Sequence, residues 1–309
     1  MKDMKDNILL IINPNASKGK GRKKANKIKD LFALHGRRCA IAYTSGRGHA
    51  EKLAKSGVES GIKTIIAAGG DGTVNEVING IMKARNHDKV AMGIIPVGRG
   101  NDFAWAAGIP CNLEKAVDII LNNEPRATDV GFGRGTDREK GVYFLNGMGL
   151  GFEPMVNFRA QEYRHLNGMA SYIAAFIHML FNPPRGYSMH VKIDDEEFDL
   201  VSQQFSCNNG RRMGSSFLMT PLAEIDDGKL DYMYTRRLFR GFGLIRLAVR
   251  FLRGAMVSDK ENFGYGKARR VEITSDKDLM VSHVDGEEFS RKGKHFVIEI
   301  LPSAVRLFR

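Results

Sequence analysis

Residues 65–77 read IIAAGGDGTVNEV, an apolar run that ends in three glycines interrupted only by Asp71. The apolar spacing then changes to that of one helix face, through Val74, Val77, Ile78 and Ile81. The stretch therefore predicts a buried strand, a tight turn and an amphipathic helix. Glycines let the backbone turn sharply and approach a ligand because no Cβ intervenes. The start of the helix offers N–H groups to an anion such as phosphate.

Asp71 is the unusual residue of this turn. Phosphates would repel a carboxylate there unless a cation or a proton transfer involves it, which makes Asp71 a candidate catalytic residue. The alternative is an ordinary strand–turn–helix corner with a capping aspartate. The stretch matches neither GxxxxGK[ST] nor GxGxxG, so the rest of the chain has to decide.

Composition narrows the class of protein. The 309 residues, 43% hydrophobic and 27% charged, are typical of a globular protein of two domains. The net charge of +12 predicts an anionic partner: nucleotide, nucleic acid or acidic lipid. No apolar run reaches the roughly 18 residues of a membrane span, and residues 1–6 lack the apolar centre of a signal peptide. Three scattered cysteines form no metal or redox motif, so we expect a cytoplasmic protein.

The first part of the chain, residues 1–127, alternates apolar strands with helical patterns. This alternation predicts an α/β domain with a parallel, doubly wound sheet. Loops at 13–17, 44–46, 69–73 and 96–102 then lie at one carboxyl edge, where open α/β sheets bind ligands.

Residues 128–309 show short strand-like runs separated by acidic or glycine turns, which predicts an antiparallel β-sandwich. Helical inserts are expected near 155–181 and 237–256, and the extreme C-terminus is expected to return to the first domain. In the segment 244–256, Arg246, Arg250 and Arg253 share one side of the helix, and the opposite side carries Leu244, Leu247, Ala248, Phe251, Leu252 and Ala255. Such a helix either lies on an anionic membrane or packs its apolar face on its own domain.

Three segments together resemble one family. They are Asn13-Pro14 with Ser17, the GGDGT of residues 69–73, and the PxGxxND of residues 96–102. The set is similar to the catalytic domain of diacylglycerol kinases and of bacterial lipid kinases of the YegS/DgkB type. The second domain agrees through Pro221-Leu222-Ala223, residues 227–231 and Asp285-Gly286-Glu287. The resemblance covers nearly the whole chain, whereas GGDGT alone is shared with NAD kinases and sphingosine kinases.

The resemblance implies an NAD kinase/diacylglycerol kinase-like fold and ATP-dependent phosphoryl transfer to a lipid hydroxyl, with Mg2+, in the cleft between the domains. Asp71 and Glu287 would be catalytic, Glu287 as proton acceptor, with Asp285 and Gly286 on the substrate side. A magnesium site would use Glu224, Asp227 and the carbonyl oxygen of Lys229. The nucleotide would contact Asn13, Pro14, Asn15, Ala16, Ser17, Thr44, Gly69, Gly70, Asp71, Gly72, Thr73, Asn75, Arg99, Asn101 and Asp102.

Arg99 departs from the family pattern, which has threonine at that position. Arginine could donate to a phosphate directly or reshape the pocket, and its role is left open. Three of these motifs also have a purely structural interpretation. Asp285-Gly286 is a strong hairpin signal, Asp226-Asp227-Gly228 is a turn pattern, and Asp102 could cap its helix.

The expected function is a lipid kinase of phospholipid metabolism, peripheral to the inner face of the membrane. Its partners would be a lipid substrate and an anionic membrane surface, and the acceptor lipid and a homodimer are left open. The alternatives are a kinase of a soluble acceptor such as NAD and a non-catalytic nucleotide sensor. No nucleic-acid partner is expected, because helix-turn-helix, zinc and stacking signatures are absent from the sequence.

Overall fold

A computed structural model describes residues 7–163, 166 and 169–309, without the side chains of residues 17, 18 and 169. The chain divides into two compact units. The first contains the chain up to Val130 together with Ile225–Asp227 and Leu301–Arg309, and the second contains Gly131–Glu224 and Gly228–Ile300. The domain boundary between residues 127 and 128 stays a prediction.

The first unit is built on a parallel sheet in the order β2-β1-β3-β4. Its inner strands are buried at all but one position of β1 and one of β3, and they are apolar at nearly every position, as expected of a parallel sheet covered by helices. The last residues of the final strand, β16 His295–Leu307, run parallel to β4, where Arg306 pairs with Ala91. The strands are β1 Ile8–Ile12, β2 Ala40–Tyr43, β3 Thr64–Gly69 and β4 Ala91–Pro96.

Each strand of this sheet leads into helix, as the alternation predicts. In α2 the apolar positions Ala25, Ile28 and Phe32 are buried, while the basic residues between them are mostly exposed. The helices are α1 Ala16–Gly19, α2 Gly21–Leu34, α3 His49–Glu59, α4 Asp71–Met82, α5 Asp102–Ala106 and α6 Leu113–Asn122, with a 3₁₀ turn at His87–Lys89.

The second unit contains the predicted antiparallel sandwich. One sheet has the order β12-β11-β10-β7-β14-β15, and the other contains β8, β9, β13 and the first part of β16. Alternate residues of both sheets, such as Met148 and Val191, meet in one core. Of the remaining strands, β5 begins in the first unit and β16 ends there. These strands are β5 Arg126–Gly135, β6 Arg138–Phe144, β7 Gly147–Gly151, β8 Tyr187–Ile193, β9 Glu196–Ser202, β10 Gln204–Asn208, β11 Leu230–Thr235, β12 Phe263–Ala268, β13 Arg270–Thr274, β14 Met280–Val284, β15 Glu287–Gly293 and β16 His295–Leu307.

Both helical inserts occur in this unit. The first contains two helices, α7 Phe152–Glu162 and α8 Met169–Phe181, and the second contains α9 Phe242–Arg253. Helix α9 ends three residues before the predicted Met256 because Gly254 adopts a left-handed conformation with φ of 64°. Among the described residues, no helix has the length and apolar character needed to cross a membrane.

Candidate nucleotide site

The four predicted loops follow the carboxyl ends of the four parallel strands of the first unit. Asn13 follows β1, Thr44 follows β2, Gly70 follows β3 and Val97 follows β4. Because the strands are parallel and adjacent, these loops share one edge of the sheet. The sheet thus assembles segments that are up to 89 residues apart in the sequence (102 minus 13).

The glycine turn ends β3 and starts α4. Gly70 is the N-cap residue, in extended conformation and without a side-chain cap, and its carbonyl accepts from the N–H groups of Thr73 and Val74. The first N–H groups of a helix have no partner within it. Because the N-cap residue is glycine, no N-cap side chain covers these N–H groups, and such an open helix start favours an anionic ligand.

Gly70 also lies against the loop after β4. A Cβ on Gly98 would stand 2.3 Å from the Cα of Gly70, so the two loops approach to backbone contact. The N–H of Val97 donates to the carbonyl of Gly69 over 3.0 Å. A side chain at residue 98 would force the glycine turn and its neighbour apart.

A cavity of about 410 Å³ lies beside the start of α4, within the range of small-molecule sites. It is bounded by the loops after β1, β2 and β3, by the first turn of α3 and by the first two turns of α4. Six predicted nucleotide contacts line it: Asn13, Asn15, Thr44, Gly70, Gly72 and Thr73. The structure adds Ser45 and Gly46, which lie in the predicted loop 44–46 but were not named as contacts, and Arg47, Ala50 and Glu76, which the sequence prediction missed.

The other predicted nucleotide contacts lie outside this lining. They are Pro14, Ala16, Gly69, Asp71, Asn75, Arg99, Asn101 and Asp102, and their contact with a nucleotide stays a prediction. Ser17 falls within α1, but its side chain lies outside the described part of the chain. Arg99 is exposed in the loop after β4.

Glu76 is the acidic residue of the cavity lining. Its two carboxylate oxygens accept from the N–H groups of Gly48 (2.7 Å) and Ala50 (3.0 Å), so it caps α3 from the neighbouring helix. One sequence pattern could have predicted that Glu76 lines the cavity. Glu76 lies one helical turn after Gly72, so the two residues share one face of α4.

Asp71 joins two of the loops through backbone hydrogen bonds. Its Oδ2 accepts from the N–H of Asn101 over 2.8 Å, and its Oδ1 accepts from the N–H of Asp102 over 2.7 Å. Asp71 therefore caps α5, the role that the sequence assigned to Asp102 as an alternative. Asp102 is instead the first residue of that helix and is buried. Each carboxylate oxygen of Asp71 has a second lone pair, so a further ligand is compatible with this geometry.

Asn101 closes the loop between β4 and α5. It is the N-cap of α5 in left-handed conformation, with φ of 52°. Its side chain accepts from the N–H of Gly98 and donates to the carbonyl of Gly98, both over 3.1 Å. The PxGxxND pattern thus requires asparagine for a backbone shape, in addition to any contact with a ligand.

Glu287 lies in the second unit, at the first position of β15. Asp285 and Gly286 form the two-residue turn between β14 and β15, with φ of 48° and 82°, and Val284 pairs with Glu287. The hairpin that the Asp-Gly signal predicts is therefore present. The Glu287 side chain is exposed.

The carboxylate of Asp285 anchors this hairpin to the start of β7. It accepts from the N–H groups of Leu145 (3.1 Å), Asn146 (3.0 Å) and Gly147 (2.9 Å), and the N–H of Asp285 donates to the carbonyl of Gly147. Asp285 therefore acts on the conformation of the segment that carries Glu287.

A buried polar pair supports the same turn and was missed by sequence reasoning. Nδ1 of His283 accepts from the N–H of Gly286 over 3.2 Å, which assigns the proton of the neutral ring to Nε2. Nε2 lies 3.1 Å from the carboxylate of Glu153, and the other oxygen of that carboxylate accepts from the side chain of Gln204. No local signal predicts a pair 130 residues apart (283 minus 153).

The predicted magnesium ligands lie in the turns that precede β11. Glu224 and Lys229 are exposed and Asp227 is half-buried. Mg2+ takes oxygen ligands and commonly needs one or two carboxylates besides water, so these residues are of a suitable chemical type. No group of three or more His, Cys, Asp or Glu side chains placed to hold a metal occurs in the part of the chain that the structure describes. The magnesium role stays a prediction.

Two family models match the chain. The diacylglycerol kinase catalytic domain matches residues 7–132, and the YegS C-terminal NAD kinase beta sandwich-like domain matches residues 147–309. The two matched ranges contain the glycine turn and the Asp-Gly-Glu hairpin, respectively. The chain belongs to the family of YegS lipid kinases and diacylglycerol kinases.

Individual relatives agree with this assignment. The lipid kinase YegS of Escherichia coli (strain K12) is 30% identical over 279 residues, 89% of this chain and 88% of that protein. The diacylglycerol kinase of Bacillus subtilis (strain 168) is 29% identical over 280 residues, 90% and 88% of the two chains. A crystal structure of a diacylglycerol kinase from Bacillus anthracis str. Sterne superimposes with a TM-score of 0.73 at 21% identity, over 98% of this chain and 96% of that one, and shows the shared fold.

Proposed function

We propose that this member of the lipid kinase family transfers the γ-phosphoryl group of ATP to the hydroxyl of diacylglycerol or a related lipid at a membrane surface. The observation that carries the nucleotide part is the uncapped start of α4, which lines a cavity of about 410 Å³. The acceptor is proposed from the family, since the relatives are named for lipid and diacylglycerol substrates.

Within the proposed reaction, the first unit holds the nucleotide. The N–H groups at the start of α4 and the polar side chains of Asn13, Asn15 and Thr44 would hold the phosphates, and Arg47 offers a cation at the same cavity. When bound, ATP with Mg2+ supplies the phosphoryl group and a neutralising charge. Such a reaction needs positioning more than covalent help from the protein.

The two proposed catalytic carboxylates have different tasks. Asp71 holds the loops after β3 and β4 together and is proposed to orient the metal or the acceptor hydroxyl with its remaining lone pairs. Glu287 is proposed to accept the proton of the attacking hydroxyl, which requires hydrogen-bond reach to that oxygen. The location of this chemistry between the domains stays a prediction.

The test is transfer of labelled γ-phosphate from ATP to a total lipid extract, with NAD as acceptor in a parallel reaction. A labelled lipid that depends on active protein supports the proposal. Label in NADP with none in lipid would replace the lipid acceptor with a soluble one. The absence of label in both reactions, with ATP bound, would favour the nucleotide sensor.

Two substitutions assign the carboxylates. Asp71→Asn should abolish the labelled lipid, and Glu287→Gln should lower turnover while leaving ATP affinity nearly unchanged. Glu288→Gln is the matched control, because Glu288 follows in the same strand and pairs with Arg291 at the surface. Unchanged turnover in Glu287→Gln, or loss of ATP binding instead of turnover, would remove Glu287 from the role of base.

A further inference from the structure

Helix α9 packs one apolar face into its own unit. Leu244, Leu247 and Phe251 are buried in a cluster that includes Met233 and Phe263. The packing alternative for this helix is therefore correct for these residues. It does not account for the rest of the helix.

The outward side of α9 carries a second set of apolar side chains. Phe242 is 84% exposed, and Ile245, Val249 and Leu252 are 39%, 38% and 48% exposed. Leu252 was predicted on the packing side of the helix, and that placement is wrong because it lies at the edge of the buried face. These exposed side chains recur at intervals of three and four residues, so they form one stripe along the helix. Large apolar side chains grouped in this way on a surface indicate an interaction site.

The surroundings of this stripe are cationic. Residues 236–258 contain six arginines and no aspartate or glutamate. Arg240, Arg246 and Arg253 are exposed, and none of them forms an ion pair with another residue that the structure describes. Nearby acidic residues pair with other arginines, Glu261 with Arg237 and Asp259 with Arg250.

We infer that the outward face of α9 is a docking surface for an anionic lipid membrane, with Phe242 inserted among the acyl chains and Arg246 and Arg253 at the headgroups. A helix lying in the interface combines an apolar stripe with basic residues in this way. The inference rests on the proposed lipid acceptor for its purpose, but its test needs neither nucleotide nor turnover.

The same features disfavour other occupants. A second copy of the chain docking here about a two-fold axis would place the same arginines against each other, and their repulsion opposes that interface. A nucleic acid would satisfy the arginines but leave Phe242 and Val249 against phosphates. An anionic bilayer accepts both the cationic and the apolar groups.

The experiment is sedimentation of the full chain with large vesicles, without nucleotide. Phosphatidylcholine vesicles with and without phosphatidylglycerol are compared at about 0.1 M and about 1 M salt, where the screening length falls from about 10 Å to about 3 Å. We expect binding to the anionic vesicles that weakens at high salt. Equal binding to neutral vesicles, or no binding to either, would overturn the inference.

Two variants separate the contributions. Arg246→Gln with Arg253→Gln should weaken binding about fivefold for each arginine, and Phe242→Ala should weaken it about tenfold. The matched controls are Arg134→Gln with Lys140→Gln for charge and Leu279→Ala for an exposed apolar residue elsewhere in the unit. Wild-type binding by both test variants, or equal losses in the controls, would contradict the assignment to α9.

A second measurement does not depend on a loss of binding. Phe242→Trp adds a tryptophan to a chain that has only one, Trp105, so the wild-type signal can be subtracted. Its emission should shift to shorter wavelength with anionic vesicles and be quenched by brominated acyl chains. An unshifted emission would show that residue 242 stays in water. Light scattering without lipid completes the test, because dissociation of a dimer by Phe242→Ala would assign the face to a second copy.

Discussion

Replacement of Asp285 should release the hairpin that carries Glu287 from the start of β7. The carboxylate accepts three N–H groups, and the residues that donate them, Leu145, Asn146 and Gly147, are buried. Asp285 also has φ of 48°, a conformation that asparagine tolerates and alanine does not. The two properties can be separated by substitution.

The magnitude follows from these contacts. In Asp285→Ala, three amides lose their acceptor. Each loss should lower the local opening free energy by about 1 kcal/mol, a moderate value because water can reach the half-buried position of residue 285. The left-handed conformation of alanine costs about 1 kcal/mol more. The total is about 4 kcal/mol. Asp285→Gly avoids the conformational cost and should lose about 3 kcal/mol. Asp285→Asn keeps Oδ1 for Asn146 and Gly147, loses the bond from Leu145 and should cost about 1–2 kcal/mol.

Hydrogen exchange at the amides of residues 145–147 measures this directly, because it reports local opening without requiring that the chain unfold in one step. We expect the opening free energy to fall in the order wild type, Asn, Gly, Ala. Asp194→Asn is the control: Asp194 also has a positive φ, and its carboxylate accepts from the N–H groups of Arg269 and Arg270. Unchanged exchange at 145–147 in Asp285→Ala would refute the anchoring role.

Two further substitutions test other contacts. Gly98→Ala places a Cβ 2.3 Å from the Cα of Gly70, so it should lower the free energy of unfolding by about 1–3 kcal/mol and weaken ATP binding. Gly46→Ala is the control, because its Cβ would meet nothing within 4 Å and stability should stay unchanged. Equal melting temperatures of the two variants would contradict this. Tyr265→Phe should cost about 1–3 kcal/mol in urea unfolding, because the Tyr265 hydroxyl donates to buried Asp231 over 2.6 Å. Burial and the hydrogen bond to Asp231 raise the pKa of Tyr265. The greater stability of the wild type over Tyr265→Phe should therefore be fully present below pH about 10 and decline above it. A stability difference that does not change at alkaline pH would contradict this hydrogen bond.

Much of the first unit follows from sequence because its signals are local. An apolar run followed by glycines and a helical period, as in residues 65–77, specifies strand, turn and helix within a few residues. The antiparallel sandwich and the Asp285-Gly286 hairpin follow from the same kind of local pattern. The segment 244–256 was predicted as a helix, and its end moved to Arg253 because of the conformation of a single glycine.

Local sequence patterns predict the candidate nucleotide site only in part. Sequence patterns alone predicted the glycine turn and the loops that share one edge of the sheet, because loops after parallel strands meet there. The resemblance to the kinase family then implied six of the residues that line the cavity. It did not identify Glu76 or Arg47 in that lining. Nor did it predict the partners of Asp71, which donate from positions 30 and 31 residues away.

What the sequence by itself determined is therefore the succession of elements, the edge of the sheet where the loops gather, and the family. Only the tertiary structure decided that Asp71 and Asp285 bind backbone amides, the latter from residues 138 to 140 positions away. It also decided that Phe242 and Val249 of α9 face outward. The physical reason is the same in each case: periodicity describes one element, whereas hydrogen-bond partners and exposure depend on which other elements pack against it.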